Sequence, residues 1–407
     1  MAELYNFQKQ SIKELLDGKH FIISGTGSGK TAIAVNWAIY KCRETRKTNI
    51  LVITTASKSR TGDFEEELKT WFPLTHINMI VISWHKLSKW VNENWDMLGA
   101  YVVIFDEIQK GSAGVSSGMG RAFLKITKRN EDWAGFTATP GDNWLKFYPY
   151  LVACGEAWNK TQFMRDYATV QTFKGYPEII GWRNEDKLRA RWARMSYAPD
   201  TSKVMSELPA ETHKVVKFNK PASYNKILKT HTNADGELLD TAGALCAELR
   251  RQCFTKEKQE WLKDFVEGLG TRAVFFYNFT KTGDIMTSVI AKSLPKGARV
   301  WRIDGKHHEI PTAETIGEKD VIICQWQSGS EALNLQHTHY WVSVEPHYSY
   351  STSVQARGRI KRIGQENKMW FYYLKTPNTI EDAIYDTLKG KGTFAEDVWC
   401  AENSIDF

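Results

Sequence analysis

Cysteine is scarce in this chain of 407 residues, and the six cysteines are scattered along it. No two of them form a C-x-x-C pair, the usual spacing of zinc ligands and redox pairs. We therefore expect neither a zinc site nor a disulfide framework. The ten histidines have no cysteine or carboxylate cluster beside them, so the sequence predicts no histidine-based metal site either.

Long apolar stretches, internal repeats and low-complexity tracts are also missing. No run approaches the roughly 20 apolar residues that a membrane-spanning helix needs, and the start of the chain, MAELYNFQKQ, lacks the apolar core of a signal peptide. We therefore expect a soluble, cytoplasmic protein without a membrane partner.

Charged residues make up 25% of the chain and aromatic residues 13%, which indicates a globular rather than a disordered protein. The length suits two domains of ordinary size. The formal net charge of +7 permits a polyanionic partner without proving one. Most of the 16 tryptophans are expected in the core, although some could stack on nucleic-acid bases.

Short apolar runs alternate with helical patterns in both halves of the chain, which is typical of α/β units with a parallel sheet. In the first half the predicted strands are Phe21–Ser24, Ile50–Thr54, Met79–Ser83, Val102–Phe105 and Gly135–Thr137. In the second half they are His213–Phe218, Ala273–Tyr277, Arg299–Ile303, Asp320–Gln325, Tyr340–Val344 and Met369–Leu374.

The middle of the chain is different: it is rich in Trp, Arg and Lys and lacks strong strand runs. We predict an N-terminal α/β lobe over residues 1–150, a helical insertion over 151–212, and a C-terminal α/β lobe over 213–407 that begins with a helical segment.

The stretch FIISGTGSGKTAIAV is typical of a phosphate-binding loop between a strand and a helix. Its glycines let backbone N–H groups face phosphate oxygens, and the helix N-terminus favours negative charge. Lys30 is predicted to reach the β- and γ-phosphates, and the Thr31 hydroxyl to ligate Mg²⁺. The strict pattern has glycine where Ser24 stands. The predicted ATP-binding residues are Gly25, Thr26, Gly27, Ser28, Gly29, Lys30 and Thr31.

Two acidic residues follow the apolar run in YVVIFDEIQK. Ligands of open α/β sheets bind at the carboxyl ends of the strands. We predict that Asp106 holds Mg²⁺ and that Glu107 orients or deprotonates the attacking water. Together with the phosphate loop, this pair predicts ATP hydrolysis rather than ATP binding alone.

The order of the motifs resembles that of the superfamily 2 helicases, and within them the Swi/Snf-type ATP-dependent DNA translocases. In the first half, LYNFQKQSIKELL resembles the glutamine motif, which implies that Gln8 reads adenine. GTGSGKT and DEIQ resemble motifs I and II, ILVITTASKSRTGDFEEELKTWFP resembles motif Ia, and VISWHKL occupies the next nucleic-acid motif. GFTATP resembles motif III, which implies that Thr137 and Thr139 couple hydrolysis to movement.

In the second half, AVFFYNFT is similar to motif IV and SGSEALNL to motif V. The resemblance implies coupling roles for Gly329 and Glu331, although the family usually has glycine where Ser330 and Ala332 stand. EPHYSYSTSVQARGRIKRIGQ matches motif VI with its lead-in. The R-x-G-Q ending, the L-P-x-x-T stretch and DEIQ in place of DEAD favour the Swi/Snf branch.

Arg359 and Arg362 are three residues apart, so on a helix they would share a face. The resemblance implies two RecA-like parallel-sheet lobes with an ATP cleft between them. It also implies that these arginines reach the γ-phosphate as arginine fingers, with Gln355 beside them. Such fingers contribute about 10³- to 10⁵-fold in rate.

The resemblance implies a DNA partner, held mainly through backbone phosphates in a sequence-independent way. The candidate contacts are Thr55, Ser57, Lys58, Lys86, Asn278 and Lys306. The basic, aromatic stretch from Trp158 to Arg194 would either help grip duplex DNA or serve as a structural bracket.

The implied function is an ATP-hydrolysing DNA translocase or helicase that remodels or unwinds duplex or branched DNA in replication, recombination or repair. We expect a monomer, with replication or repair proteins as further partners. The lack of extra regulatory domains resembles compact forms from bacteria or bacteriophages. The sequence leaves open an RNA-directed helicase and a non-catalytic module that uses ATP only as a switch.

Overall fold

The computed structural model describes residues 3–56, 58–112, 114–141, 143–157, 159–173, 176–307, 309–312, 314–329, 335–403 and 405. The chain divides into two compact units, Met1–Met205 and Ser206–Phe407. Each unit is built around one six-stranded sheet. This confirms the predicted fold class of two α/β lobes with parallel sheets.

The first unit has a parallel sheet with the strand order β3-β2-β4-β5-β1-β8. Its strands are β1 Phe21–Ile23, β2 Asn49–Thr54, β3 Asn78–Ser83, β4 Tyr101–Asp106, β5 Trp133–Thr137 and β8 Ser196–Tyr197. Every residue of β4 is buried, which explains the unbroken apolar run that predicted this strand.

Helices surround this sheet and bury an aromatic-rich core. They are α1 Asn6–Leu16, α2 Lys30–Thr45, α3 Lys58–Thr61, α4 Asp63–Trp71, α5 Leu87–Glu93, α6 Gly118–Arg129, α7 Trp144–Ala153, α8 Lys160–Tyr167, α9 Glu185–Met195 and α10 Ser202–Ser206. Three short 3₁₀ turns, Trp84–Lys86, Trp95–Ala100 and Ile108–Lys110, connect strands to helices.

The helical insertion predicted after residue 150 also contains two strands, which the sequence did not predict. Strands β6 Ala168–Phe173 and β7 Tyr176–Trp182 form a two-stranded antiparallel sheet between α8 and α9. Val170 is 44% and Ile180 60% exposed, so these strands have no long buried run to reveal them. Phe163, Leu188 and Met195 on the flanking helices belong to the core of the first unit. The predicted boundaries of the insertion stay a prediction.

The second unit has a parallel sheet with the strand order β11-β12-β10-β13-β14-β9. Its strands are β9 Glu211–Lys217, β10 Ala273–Tyr277, β11 Val300–Ile303, β12 Val321–Gln325, β13 Tyr340–Ser343 and β14 Met369–Lys375. Each corresponds to a predicted strand. β9 pairs in parallel with β14 along its whole length, so the first strand of this unit lies beside the last.

The helices of the second unit follow the predicted alternation. They are α11 Ala222–Thr230, α12 Ala242–Gln252, α13 Lys256–Leu269, α14 Thr280–Ser293, α15 Trp326–Gly329, α16 Tyr350–Arg357, α17 Ile380–Lys389 and α18 Glu396–Glu402. Within the described parts of both units, no helix is long and apolar enough to cross a membrane.

Candidate nucleotide and coupling site

The carboxyl ends of four adjacent strands bring the predicted ATP-site residues together in the first unit. The strands β2, β4, β5 and β1 are neighbours in the sheet. Thr54 ends β2, Asp106 ends β4, Thr137 ends β5, and the phosphate-binding loop follows β1. Parallel strands place these groups at one edge, where α/β proteins bind ligands.

The loop between β1 and α2 has the backbone that a phosphate-binding turn needs. Gly27 and Gly29 have φ of 79° and 75°, a left-handed conformation that favours glycine. Gly29 is the N-cap of α2. A Cβ on Gly29 would lie 2.5 Å from the Gln8 amide nitrogen, so a side chain here would also have to displace the Gln8 amide. The loop fits the phosphates that the sequence predicts there.

Gln8 fastens helix α1 to this loop. Its side chain is buried; Nε2 donates to the Ser28 carbonyl at 3.3 Å, and Oε1 accepts from the Tyr5 N–H at 2.9 Å. The structure therefore places Gln8 against the phosphate-binding loop. Its adenine-reading role stays a prediction.

Ser24, the departure from the glycine pattern, has a structural use. Its buried hydroxyl donates to Ser28 Oγ at 2.7 Å, and Ser28 Oγ donates to the Gly25 carbonyl at 2.8 Å. The loop is thus closed by a hydrogen-bond chain that glycine at position 24 could not start. Lys30 lies over the same loop, with Nζ 2.8 Å from both the Ser24 and Gly25 carbonyl oxygens.

The two predicted Mg²⁺ ligands, Thr31 and Asp106, both contact the ammonium group of Lys58. Lys58 Nζ lies 3.1 Å from Thr31 Oγ1 and 3.1 Å from Asp106 Oδ2. Asp106 Oδ2 also accepts from the Thr54 hydroxyl at 2.6 Å. The side chains of Lys58 and Asp106 are 15% and 4% exposed, and Lys58 Nζ stands 4.7 Å from the centre of the Phe64 ring. The oxygen donors are of the kind that Mg²⁺ prefers, so the set fits this metal.

This position differs from the one predicted for Lys58. The sequence placed it on the nucleic-acid strand, whereas the structure places its ammonium at the candidate metal site. The cause is the loop after β2: the Lys58 N–H donates to Thr55 Oγ1 at 3.2 Å and so begins α3 directly beside Asp106. Thr55 is itself buried, and Ser57 lies outside the described residues.

Glu107 begins a hydrogen-bond chain between two strand ends. Gln109 Nε2 donates to Glu107 Oε2 at 2.6 Å, and the Thr137 hydroxyl donates to Gln109 Oε1 at 2.7 Å. The Thr139 N–H donates to Thr137 Oγ1 at 2.9 Å. The predicted catalytic base Glu107 and two of the predicted coupling residues, Thr137 and Thr139, are therefore in one connected chain of hydrogen bonds. Sequence reasoning missed Gln109, although it ends the DEIQ motif.

Trp84 supports the Asp106 backbone from the segment VISWHKL. Its buried indole N–H donates to the Asp106 carbonyl at 2.8 Å, and its ring stacks on Phe105 with centroids 5.7 Å apart. The predicted contact residue of this segment, Lys86, ends the 3₁₀ turn and is exposed, as contact with a polyanion requires.

In the second unit, Asn278 belongs to a network around a buried carboxylate. Its N–H donates to Glu345 Oε2 at 2.6 Å, and its side-chain amide donates to the Pro346 carbonyl at 2.8 Å. The Thr282 hydroxyl donates to Glu345 Oε1 at 2.7 Å. Burial raises the pKa of Glu345, although these hydrogen bonds oppose the shift. The structure thus gives Asn278 a partner within the protein, in contrast to its predicted contact with nucleic acid.

Lys306 lies in an exposed turn that one carboxylate organises. Asp304 Oδ1 accepts from the N–H groups of Lys306 and His307 at 2.8 and 2.9 Å. Burial would raise the pKa of Asp304, but these bonds and the Arg302 guanidinium hold it well below its usual range. The turn keeps the Lys306 side chain accessible for the predicted phosphate contact.

The motif VI region ends its helix before the two predicted arginine fingers. Helix α16 ends at Arg357, so Gln355 lies on the helix whereas Arg359 and Arg362 lie in the turns that follow it. The prediction that the arginines share a helix face is wrong, because the chain leaves the helix at Gly358. Both arginines are half-buried.

A buried glutamine, absent from our predicted site, holds these turns. Gln365 Nε2 donates to the carbonyls of Gln336, Thr338 and Ile360 at 3.0, 3.0 and 3.2 Å. The last position of the R-x-G-Q sequence is therefore structural. Of the predicted coupling residues nearby, Gly329 is the last residue of α15, and Glu331 lies outside the described residues.

Residues 5–147 match the family model of the DEAD/DEAH box helicase. The chain is 25% identical over 129 residues to "Putative helicase 172L" of Invertebrate iridescent virus 6. This region is 31% of the chain and 21% of that protein, so the chain spans about a fifth of the length of this relative.

Among solved structures, the Sulfolobus solfataricus SWI2/SNF2 ATPase core in complex with dsDNA has a TM-score of 0.44 and 14% identity. The alignment covers 96% of this chain and 91% of that one. The same ATPase core domain in a second structure has a TM-score of 0.43 and 15% identity, with coverages of 96% and 89%. The family match over residues 5–147 includes the phosphate-binding loop and DEIQ, and it bears out the helicase resemblance that the motifs indicated in this part of the chain.

Proposed function

We propose that this protein is an ATP-hydrolysing DNA translocase of the Swi/Snf type. One observation supports the proposal of ATP hydrolysis: the phosphate-binding loop, Asp106 and Glu107 lie at one edge of the sheet. Hydrogen bonds through Gln109 also connect Glu107 to Thr137. The Swi/Snf branch and the preference for DNA rest on the motifs, namely DEIQ, L-P-x-x-T and the R-x-G-Q ending.

In this proposal the ATP-site residues of the first unit have separate roles. Lys30 binds the β- and γ-phosphates, while the loop N–H groups and the start of α2 favour their negative charge. Thr31 and Asp106 hold Mg²⁺, which supplies neutralising charge to the phosphates when bound. Glu107 orients the attacking water and accepts its proton.

Arg359 and Arg362 would supply positive charge to the γ-phosphate, with Gln355 beside them. Thr137, Thr139, Gly329 and Glu331 would transmit hydrolysis to the parts that hold DNA. The exposed Lys86 and Lys306 would bind backbone phosphates, which predicts binding that is independent of sequence and weakened by salt. We also propose that the protein acts as a monomer in the bacterial cytoplasm. It would act on duplex or branched DNA, together with replication or repair proteins.

The first test is ATP turnover without nucleic acid and with single-stranded DNA, duplex DNA, forked DNA or RNA at matched salt. We expect strong stimulation by duplex or forked DNA. Stimulation by RNA alone would assign the protein to an RNA-directed class. If no nucleic acid stimulates turnover, the motor proposal is wrong and an ATP-dependent switch replaces it.

Glu107→Gln tests the catalytic assignment. The amide keeps the shape of the side chain but cannot accept a proton, so turnover should fall by about 10²-fold or more. ATP binding, measured with a fluorescent analogue, should be largely retained. Turnover at the wild-type rate would show that Glu107 is not the base.

A further inference from the structure

Lys58 is bonded to the two side chains that are proposed to hold Mg²⁺. Its Nζ lies 3.1 Å from Thr31 Oγ1 and equally 3.1 Å from Asp106 Oδ2. The contact is sheltered, since the Lys58 side chain is only 15% exposed. The centre of the Phe64 ring lies 4.7 Å from Nζ and adds a cation–π contact to the ion pair. Several groups therefore hold the ammonium at this position, unlike in a surface ion pair.

An ammonium and a Mg²⁺ ion cannot share these oxygens. Mg²⁺ binds oxygen ligands at about 2.0–2.1 Å in a strict octahedron, so a metal on Thr31 and Asp106 would lie next to the Lys58 nitrogen. Two cations a few ångströms apart in a poorly solvated site repel each other strongly. Loading of the metal therefore requires the Lys58 side chain to leave.

We propose that Lys58 is a resident cation of the magnesium site, which Mg²⁺ must displace, and that its release makes it available to a nucleic-acid phosphate. The lysine stem is flexible, and the Thr55 hydroxyl holds the backbone of Lys58 in place at 3.2 Å. The side chain can therefore turn outward while α3 stays attached to the end of β2.

The two halves of this proposal are thermodynamically linked. If Lys58 can bind Asp106 or a phosphate of the nucleic acid but not both, then nucleic acid should tighten Mg²⁺ binding. By reciprocity Mg²⁺ with nucleotide should tighten nucleic-acid binding by the same factor. This second half rests on the proposed function, because it needs a nucleic-acid partner; the competition between Lys58 and Mg²⁺ does not.

The test measures binding of a fluorescent ADP analogue as a function of Mg²⁺ concentration, without nucleic acid. Lys58→Met keeps the apolar stem but removes the charge, so the half-saturating Mg²⁺ concentration should fall about fivefold or more relative to the wild type. Lys58→Arg keeps the charge and should stay close to the wild type. An unchanged or higher Mg²⁺ requirement in Lys58→Met would overturn the proposal.

Lys128→Met is the matched control, since Lys128 is an exposed lysine of helix α6 in the same unit and has no part in the proposed ATP or nucleic-acid sites. It should leave the Mg²⁺ requirement unchanged. Thermal unfolding of each variant checks that it folds, and Lys58→Gln replaces Lys58→Met if the methionine variant does not.

Repeating the titration with duplex DNA separates the two proposals. Wild-type protein should need less Mg²⁺ when DNA is present, and Lys58→Met should lose this dependence. Lys58→Met could lower the half-saturating Mg²⁺ concentration while DNA leaves that of the wild type unchanged. This result would support competition between Lys58 and Mg²⁺ but reject the link to nucleic acid. The ATP turnover panel then decides independently whether the proposed function fails.

Discussion

At the scale of single residues, Glu107 shows how the backbone serves the site. It has φ of 50° without being glycine, a conformation that costs about 1–3 kcal/mol and persists only where the surroundings enforce it. Here Asp106 lies in the buried strand β4, Ile108 is fully buried, and Gln109 bonds the Glu107 carboxylate. The sharp turn lets two consecutive acidic residues take different positions: Asp106 contacts Thr54 and Lys58, whereas Glu107 contacts Gln109.

The two predicted arginine fingers give a sharp test at the same scale. Arg362→Ala and Arg359→Ala should each lower ATP turnover by about 10³-fold or more. Nucleotide binding should change little, because the phosphate-binding loop is intact. Turnover and binding of the fluorescent ADP analogue measure the two effects separately.

Lys361→Ala is the control for these variants. Lys361 lies between the two arginines in sequence, but its ammonium pairs with Glu211 at 3.0 Å on a partly exposed surface. An exposed pair of this kind contributes about 0–1 kcal/mol, so turnover should stay near that of the wild type. Equal losses in all three variants would indicate a disturbed turn rather than a role at the γ-phosphate.

At the scale of secondary structure, a buried ion pair joins α13 to α17 in the second unit. Lys258 Nζ lies 2.8 and 2.9 Å from the two carboxylate oxygens of Glu381, and the Thr376 N–H also donates to this carboxylate. Both charged side chains are fully buried. Removing one partner would leave a charge in the interior without its counter-charge.

Lys258→Met should therefore lower the free energy of unfolding by about 3–5 kcal/mol. Chemical denaturation followed by circular dichroism measures the change. The control is Lys89→Met, which breaks a pair 3.8 Å long whose side chains are 82% and 58% exposed; it should cost less than about 1 kcal/mol. Similar losses in the two variants would contradict this ranking.

The double variant Lys258→Met/Glu381→Leu should recover much of the stability, because it leaves no unpaired charge.

At the scale of the whole molecule, stability should fall in mild acid. Burial lowers the pKa of His337 to about 4, with Arg272 adding to the effect. Burial likewise lowers the pKa of His347 to about 4, with Arg250 adding to it. In the unfolded chain both rings bind a proton below about 6.5, whereas in the folded chain they stay neutral down to about pH 4. The unfolded state thus binds more protons in this window, and stability is lost as the pH falls.

Thermal unfolding between pH 7 and 4.5 tests this expectation. The melting temperature should decrease steadily below pH 6.5, and the decrease should be smaller in His337→Gln and His347→Gln. His76→Gln replaces an exposed histidine and serves as the control. If neither His337→Gln nor His347→Gln reduces the fall in melting temperature with pH, other groups cause the acid sensitivity.

The amino-acid sequence by itself determined the parallel strands, the phosphate-binding loop and the Asp106–Glu107 pair. These features depend on local signals, since a buried parallel strand appears as an apolar run and a phosphate-binding turn requires glycine at set positions. For the same reason the sequence did not reveal the antiparallel pair β6–β7, whose apolar side chains are partly exposed. It also did not reveal that α16 ends before Arg359.

Only the tertiary structure decided which side chains share a partner. Lys58 meets Thr31 and Asp106 because β2, β4 and β1 end at the same edge of the sheet, although these residues are 27 and 48 positions apart in the chain. Gln109 meets Thr137 across 28 positions for the same reason. Strand order and register set these contacts, and both are properties of packing between distant segments that no local pattern encodes.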